Sequence, residues 1–173
     1  MQHGYGVRLE PTEEQVVKLK DLCDAHFRLR RLGTEIMHET LVKQRSPLSS
    51  ADLLDAVVSS TGVTGGVSLS VIAKESGLRA LETLSSRFFH HLRKYKKLPP
   101  PENPRAGNKF CLFANSGVEF RGQGPRRKTA SVKIPDIGWV RCSSLPKMEG
   151  VFSGLSLFYA DGRWLVNITT LEG

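Results

Sequence analysis

Residues 98–108 (LPPPENPRAGN) cannot be helical, because Pro99, Pro100, Pro101 and Pro104 lack a backbone donor and hold φ near about −65°. They divide the chain into two parts with different hydrophobic periods. Before them apolar residues recur at helical spacing; after them they alternate at period two. A chain of 173 residues divided this way is a helical block joined to a β-rich block.

The first block opens with a short alternating stretch, Tyr5 and Val7 one way and Arg8 the other, which Pro11 stops. Thr12 and Gln15 then form a capping box, and Glu13 and Glu14 suit the positive end of a helix. Val16, Leu19, Cys23 and Phe27, then less regularly Leu32, Ile36 and Met37, predict about seven helical turns. Gly33 is a possible kink within them. Ser49 and Asp52 make a second capping box before Leu53, Leu54, Val57 and Val58, a short amphipathic helix. Residues 61–66 (TGVTGG) are a break. A third helix follows from Ser68 or Ser70, with Leu81, Leu84, Phe88, Leu92 and Tyr95 as one apolar stripe.

Beyond the prolines, residues 110–114, 118–121, 129–134, 138–142, 151–159 and 164–169 read as six strands, and Asp161-Gly162 as a hairpin turn. The lone first strand most simply pairs with the C-terminal ones. The expected fold is therefore α+β: a small antiparallel barrel, closed or partly open, with a helical lobe inserted after its first strand. The expected division is 1–10 as the first barrel strand, 11–98 as the helical lobe, and 99–173 as the rest of the barrel.

Charge narrows the partners. Lys and Arg number 25 against 17 Asp and Glu, for a net +8. The excess is local: residues 1–78 carry −1, 79–150 carry +10, and 151–173 carry −1. One sign concentrated in mid-chain points to phosphate-rich polymers first and anionic surfaces second. No apolar run approaches the roughly 20 residues of a membrane span. The N-terminus has no secretory h-region. Cys23, Cys111 and Cys142 are odd in number and widely spaced, as expected of reduced thiols inside a cell. No Walker or Rossmann phosphate loop is present, and His90 and His91 are adjacent rather than at zinc-ligand spacing. No catalytic constellation stands out, so the expectation is a binding protein rather than an enzyme, with no metal of its own.

Three stretches together resemble a known family. The opening VRLEPTEEQVVKLKDL is similar to the first strand and helix of the TnpB-type RNA-guided nucleases of transposons, relatives of the type V CRISPR effectors. LETLSSRFFHHLRKYKK resembles that family's helix with recurring Leu, Leu and Phe before a basic end. IPDIGWVRCSS followed by SLFYADGRWLVNITT resembles its Leu-Pro-x-Leu-Gly-x-Val-Arg strand and its Asp-Gly hairpin. Two places depart from the family: ENPRAGNKF stands for Gly-Phe-Pro-x-Phe-Lys, and His91-Leu92 for paired aromatic residues.

The resemblance implies a wedge domain carrying a helical recognition lobe, without the RuvC nuclease domain that follows in the family. It implies guide RNA and target DNA as partners, reading of a short flanking DNA motif, and a cytoplasmic, nucleoid-associated prokaryotic location. The chain then acts as the N-terminal half of an endonuclease, as a nuclease-lacking regulator of transcription, or beside a separate RuvC-bearing chain or a second copy. A protein-interaction scaffold of the same fold, with no nucleic-acid function and no membrane role, is the alternative. Candidate nucleic-acid contacts are Lys74, Arg79, Arg87, Lys94, Lys109, Asn115, Arg126, Arg127 and Lys128. By resemblance Arg79 and Asn115 approach the flanking motif. Arg126, Arg127 and Lys128 cluster in a turn, where they are placed to follow a backbone. Aromatic residues near basic ones, among them Phe88, Phe89, Tyr95, Phe110 and Phe120, are either stacking platforms or core.

Overall fold

The first capping box forms in full, and the second keeps its N-cap bond. The Thr12 main-chain N–H donates to Gln15 Oε1 at 3.0 Å, and the Gln15 N–H donates to Thr12 Oγ1 at 3.3 Å. These bonds satisfy donors that a helix start leaves open. At the second box the Asp52 N–H donates to Ser49 Oγ at 3.1 Å, and the Ser49 hydroxyl donates to Asp52 Oδ2 at 2.6 Å. The structure is a computed structural model that describes residues 1–44, 48–60, 71–97, 110–124 and 129–173. The expected break at 61–66 and the proline-rich residues 98–108 lie outside the described residues.

The chain runs β1 (Gln2–Glu10), α1 (Glu13–Gln44), α2 (Ser50–Ser60), α3 (Val71–Tyr95), β2 (Phe110–Ala114), β3 (Glu119–Arg121), β4 (Ser131–Ile134), β5 (Gly138–Cys142), β6 (Val151–Ala160) and β7 (Arg163–Leu171). The class is α+β. All seven strands form one antiparallel sheet in the order β2-β6-β7-β1-β5-β4-β3. β1 pairs with β7 from Gln2 to Arg8, then with β5 through Leu9 and Glu10. The expected hairpin turn joins β6 to β7, with Asp161 at φ 51° and Gly162 at 73°, positive at both central residues as such a turn requires.

The sheet is open rather than a closed barrel. Its order ends at β2 and β3, and among the described residues these two edges do not pair. Local chemistry accounts for both ends. β3 is only three residues long, has charged Glu119 and Arg121, and ends at Gly122 with φ 70°. β2 has its free edge met by a helix instead. The Ser76 hydroxyl accepts from the Phe113 N–H at 2.6 Å and donates to the Phe113 carbonyl at 2.8 Å. The sheet still curls about one core, for Phe120 of β3 meets Phe152 of β6 with ring centroids 5.6 Å apart.

There are two cores, and α1 serves both. Its first half sends Leu19, Leu22 and Cys23 into the sheet core, beside Val7, Leu9, Val140, Leu157 and Ile168. Its second half sends Leu29, Met37 and Leu41 into a helical core with Leu53 and Val57 of α2 and Leu81 and Phe88 of α3. His26 lies on the helix between the two sets and is itself buried.

Gly33 is not a kink, because α1 continues through it to Gln44. It is a point of close approach. A Cβ there would stand 2.2 Å from Leu81 Cδ2, and a Cβ at Gly77 of α3 would stand 2.9 Å from Leu29 Cδ2 of α1. Each helix thus makes room for a leucine of the other. Tyr95 also differs from expectation: it is 53% exposed at the end of α3 rather than buried in the stripe. Cys23 and Cys142 are buried, and neither is in a disulfide. Burial, the largest influence, pushes the Cys142 thiol up to about 11.

Candidate nucleic-acid interface

The helical period sorts the side chains of α3. At about 100° per residue, Arg79, Arg87, His90 and Lys94 fall within about 80° of one another. Leu81 and Phe88, both buried, fall on the opposite side. The basic stripe spans about 22 Å at roughly 1.5 Å per residue.

The N-terminal end of this face is docked on the sheet. Ser76 holds the edge of β2 by the two bonds to Phe113. One turn on, the Arg79 guanidinium lies over the Phe113 ring, its carbon 3.8 Å from the centroid. On β6 the same ring lies against Gly154, where a Cβ would come within 2.7 Å of it. Phe113 is thus held between a glycine and a guanidinium, and Arg79 is oriented by stacking while remaining exposed. Asn115, exposed, follows β2 directly.

Further along, the same face is accessible. Arg87, His90 and Lys94, with Ser86, His91 and Tyr95, line a shallow hollow of about 360 Å³. The His91 and Tyr95 rings sit 4.6 Å apart, and Lys94 Nζ is 5.2 Å from the Tyr95 centroid. An exposed aromatic ring among basic side chains is a surface on which a base can stack while phosphates meet the cations. Lys74 is in α3, but its side chain lies outside the described residues, as do Lys109, Arg126, Arg127 and Lys128 altogether. The structure therefore sets Arg79 at the α3–β2 junction, Arg87 and Lys94 beyond it on the same helix, and Asn115 just past the end of β2.

Of the two readings the sequence left for Tyr95, stacking platform or core, its exposure at the hollow excludes the core. Sequence reasoning missed a second stacked pair, Arg121 over Trp139 at 3.9 Å. Arg121 on β3 and Trp139 on β5 are separated by β4, so only the strand order brings them together. Among the described residues no three His, Cys, Asp or Glu side chains are grouped to hold a metal ion, and no helix is long and apolar enough to cross a membrane. No protein-family model matches the chain, and no curated protein matches it.

Proposed function

We propose that the chain is an RNA-guided DNA-binding module that holds guide RNA and its heteroduplex with target DNA, reads a short flanking DNA motif, and carries no nuclease of its own. The observation that carries this reading is the stripe Arg79, Arg87, His90 and Lys94, which faces away from the buried side of α3 and runs past the edge of the sheet. A heteroduplex is held through its backbone and A-form shape, which calls for distributed cations, while base pairing supplies sequence. The +10 of residues 79–150 meets that demand. The resemblance to TnpB-type nucleases supports the same reading. A curled sheet open at β2 and β3, with helices entered between β1 and β2, is compatible in outline with that family's partly open wedge barrel and recognition lobe. The partners are then guide RNA and target DNA, in a prokaryotic cytoplasm, with any nuclease supplied by further sequence or another chain.

Salt dependence tests the proposal. RNA affinity should fall steeply with salt, and Arg87→Ala with Lys94→Ala should flatten the log–log slope by about 1 to 2. A protein that purifies free of nucleic acid and shows no salt-sensitive RNA affinity refutes the reading. A salt-insensitive complex with another protein would favour the scaffold alternative.

A second expected outcome concerns chemistry. Incubated with guide RNA, matched target and Mg²⁺, the isolated chain should leave the DNA intact. Two-metal nucleolysis needs clustered carboxylates, and the described residues bring no such group together. Cleavage that persisted through rigorous purification would show that an active site exists in this chain.

A further inference from the structure

The outer face of the sheet holds a second surface that the α3 stripe does not use. The pairing of β6, β7 and β1 sets Phe158, Leu165 and Arg8 in one row across the strands. Ser156, Asn167 and Gly6 form the next row. At Gly6 a Cβ would meet nothing within 4 Å, so the second row is cut low at its β1 end. The result is a trough of about 600 Å³ lined by Gly6, Arg8, Phe158, Arg163, Leu165 and Asn167.

Its chemistry is specific. Phe158 and Leu165 are half-buried, so they form a floor accessible from outside. Arg8 and Arg163 flank that floor, and neither guanidinium has a carboxylate partner within 4.0 Å among the described residues. By contrast Arg31, Lys133 and Arg141 are each paired with a glutamate. Asp161 at the rim is the one acidic residue of the lining, against two arginines. Ser143 and Ser144 add hydroxyls on the far wall. An aromatic and aliphatic floor, flanking arginines and a central amide match a ligand with flat faces, phosphates and hydrogen-bonding edges. On β2, Phe113 stands opposite Ser156 of the second row, so that row leads across the sheet to the Arg79 stack at the edge.

We infer that this trough binds a single-stranded segment of RNA. Bases lie on Phe158 and Leu165, phosphates meet Arg8 and Arg163, and the Asn167 amide contacts a base edge. The inference rests on the nucleic-acid reading above. It assigns a separate surface to unpaired nucleotides, distinct from the helical stripe proposed for the duplex.

The test is a titration of a short unstructured RNA by fluorescence anisotropy. Phe158→Ala, and Arg8→Ala combined with Arg163→Ala, should each weaken binding by about tenfold. The double arginine variant should also reduce the single-strand salt slope by about 1.4, for two phosphate contacts. Thermal melts of the variants control for folding. A photoreactive 4-thiouridine RNA should crosslink to β6 or β7 in the parent chain, a readout that needs no variant. If the variants keep the parent's affinity and no crosslink reaches these strands, while Arg87→Ala with Lys94→Ala still weakens RNA binding, the trough assignment is wrong and the proposed function stands. If the parent binds no RNA, both fail.

Discussion

Lowering the pH from 7 to 4 should cost the fold about 3 kcal/mol through one residue, His26. The side chain is only 8% exposed and its Nδ1 has no hydrogen-bond partner among the described residues. Burial lowers its pKa from 6.5 to about 4, and repulsion from Arg30, one turn on, adds to the effect. The unfolded chain takes up a proton near pH 6.5, whereas the folded chain resists until about 4. Between those values the unfolded state holds more protons. Stability is therefore complete above about 6.5, falls as the pH drops through the window, and levels off below about 4. At roughly 1.4 kcal/mol per pH unit the window amounts to that figure of about 3. Urea unfolding at pH 7, 5.5 and 4.5 measures it. His26→Met should remove most of the slope across these points. An equal slope in parent and variant would assign the acid sensitivity to other groups.

Gly33→Ala should destabilise the protein by about 2 kcal/mol. On an exposed helix the same change would stabilise by up to about 1 kcal/mol, because alanine is the better helix former. Here the added methyl would overlap Leu81 Cδ2, and because Leu81 is fully buried its side chain has to shift within a packed core. The sign of the effect thus distinguishes close helix packing from a loose joint. Leu81→Ala alone opens a cavity and should also destabilise. The pair Gly33→Ala with Leu81→Ala should lose less than the two single losses added, since the new methyl occupies part of the space vacated. Strict additivity would contradict direct contact between these positions.

How much of this was readable before the structure varies with distance along the chain. The boxes at Thr12 and Ser49 were readable because their bonds span three residues. The Asp161-Gly162 turn was equally local. Strands β2 and β5 have the bounds read from the sequence, and β1 was expected beside the C-terminal strands, as it is. Gly33 was misread because a glycine that breaks a helix and one that admits a neighbour's leucine look alike until the neighbour is known. Tyr95 continued a periodic stripe that outlasts the core it packs on. Whether the barrel closes was not legible, because alternation describes a strand's two faces and is silent on its edges. That Arg79 lies off the apolar stripe was readable from periodicity. Its stacking on Phe113 depends on how α3 docks against β2, a contact across 34 residues of chain.

The position of β1 between β7 and β5 bears on how the protein comes into being. This strand is made before the other six strands of the sheet, and it is the seam between the two halves. Its longer partner, Arg163–Leu171, is made more than 150 residues later. Until then Val7 has no partner strand, Leu9 can pair only with β5, and the first half of α1 has only part of its core. The local contacts of α1, α2 and α3 can form early, since helix pairing closes short loops. Completion of the sheet must wait for the last strand, and loop closure over that separation is slow and carries an entropic cost. During synthesis the nascent chain should pass through a state with helices formed and the Gln2–Arg8 stretch of β1 unpaired. That exposed edge is where a chaperone would find it, or where a second nascent chain would pair in error.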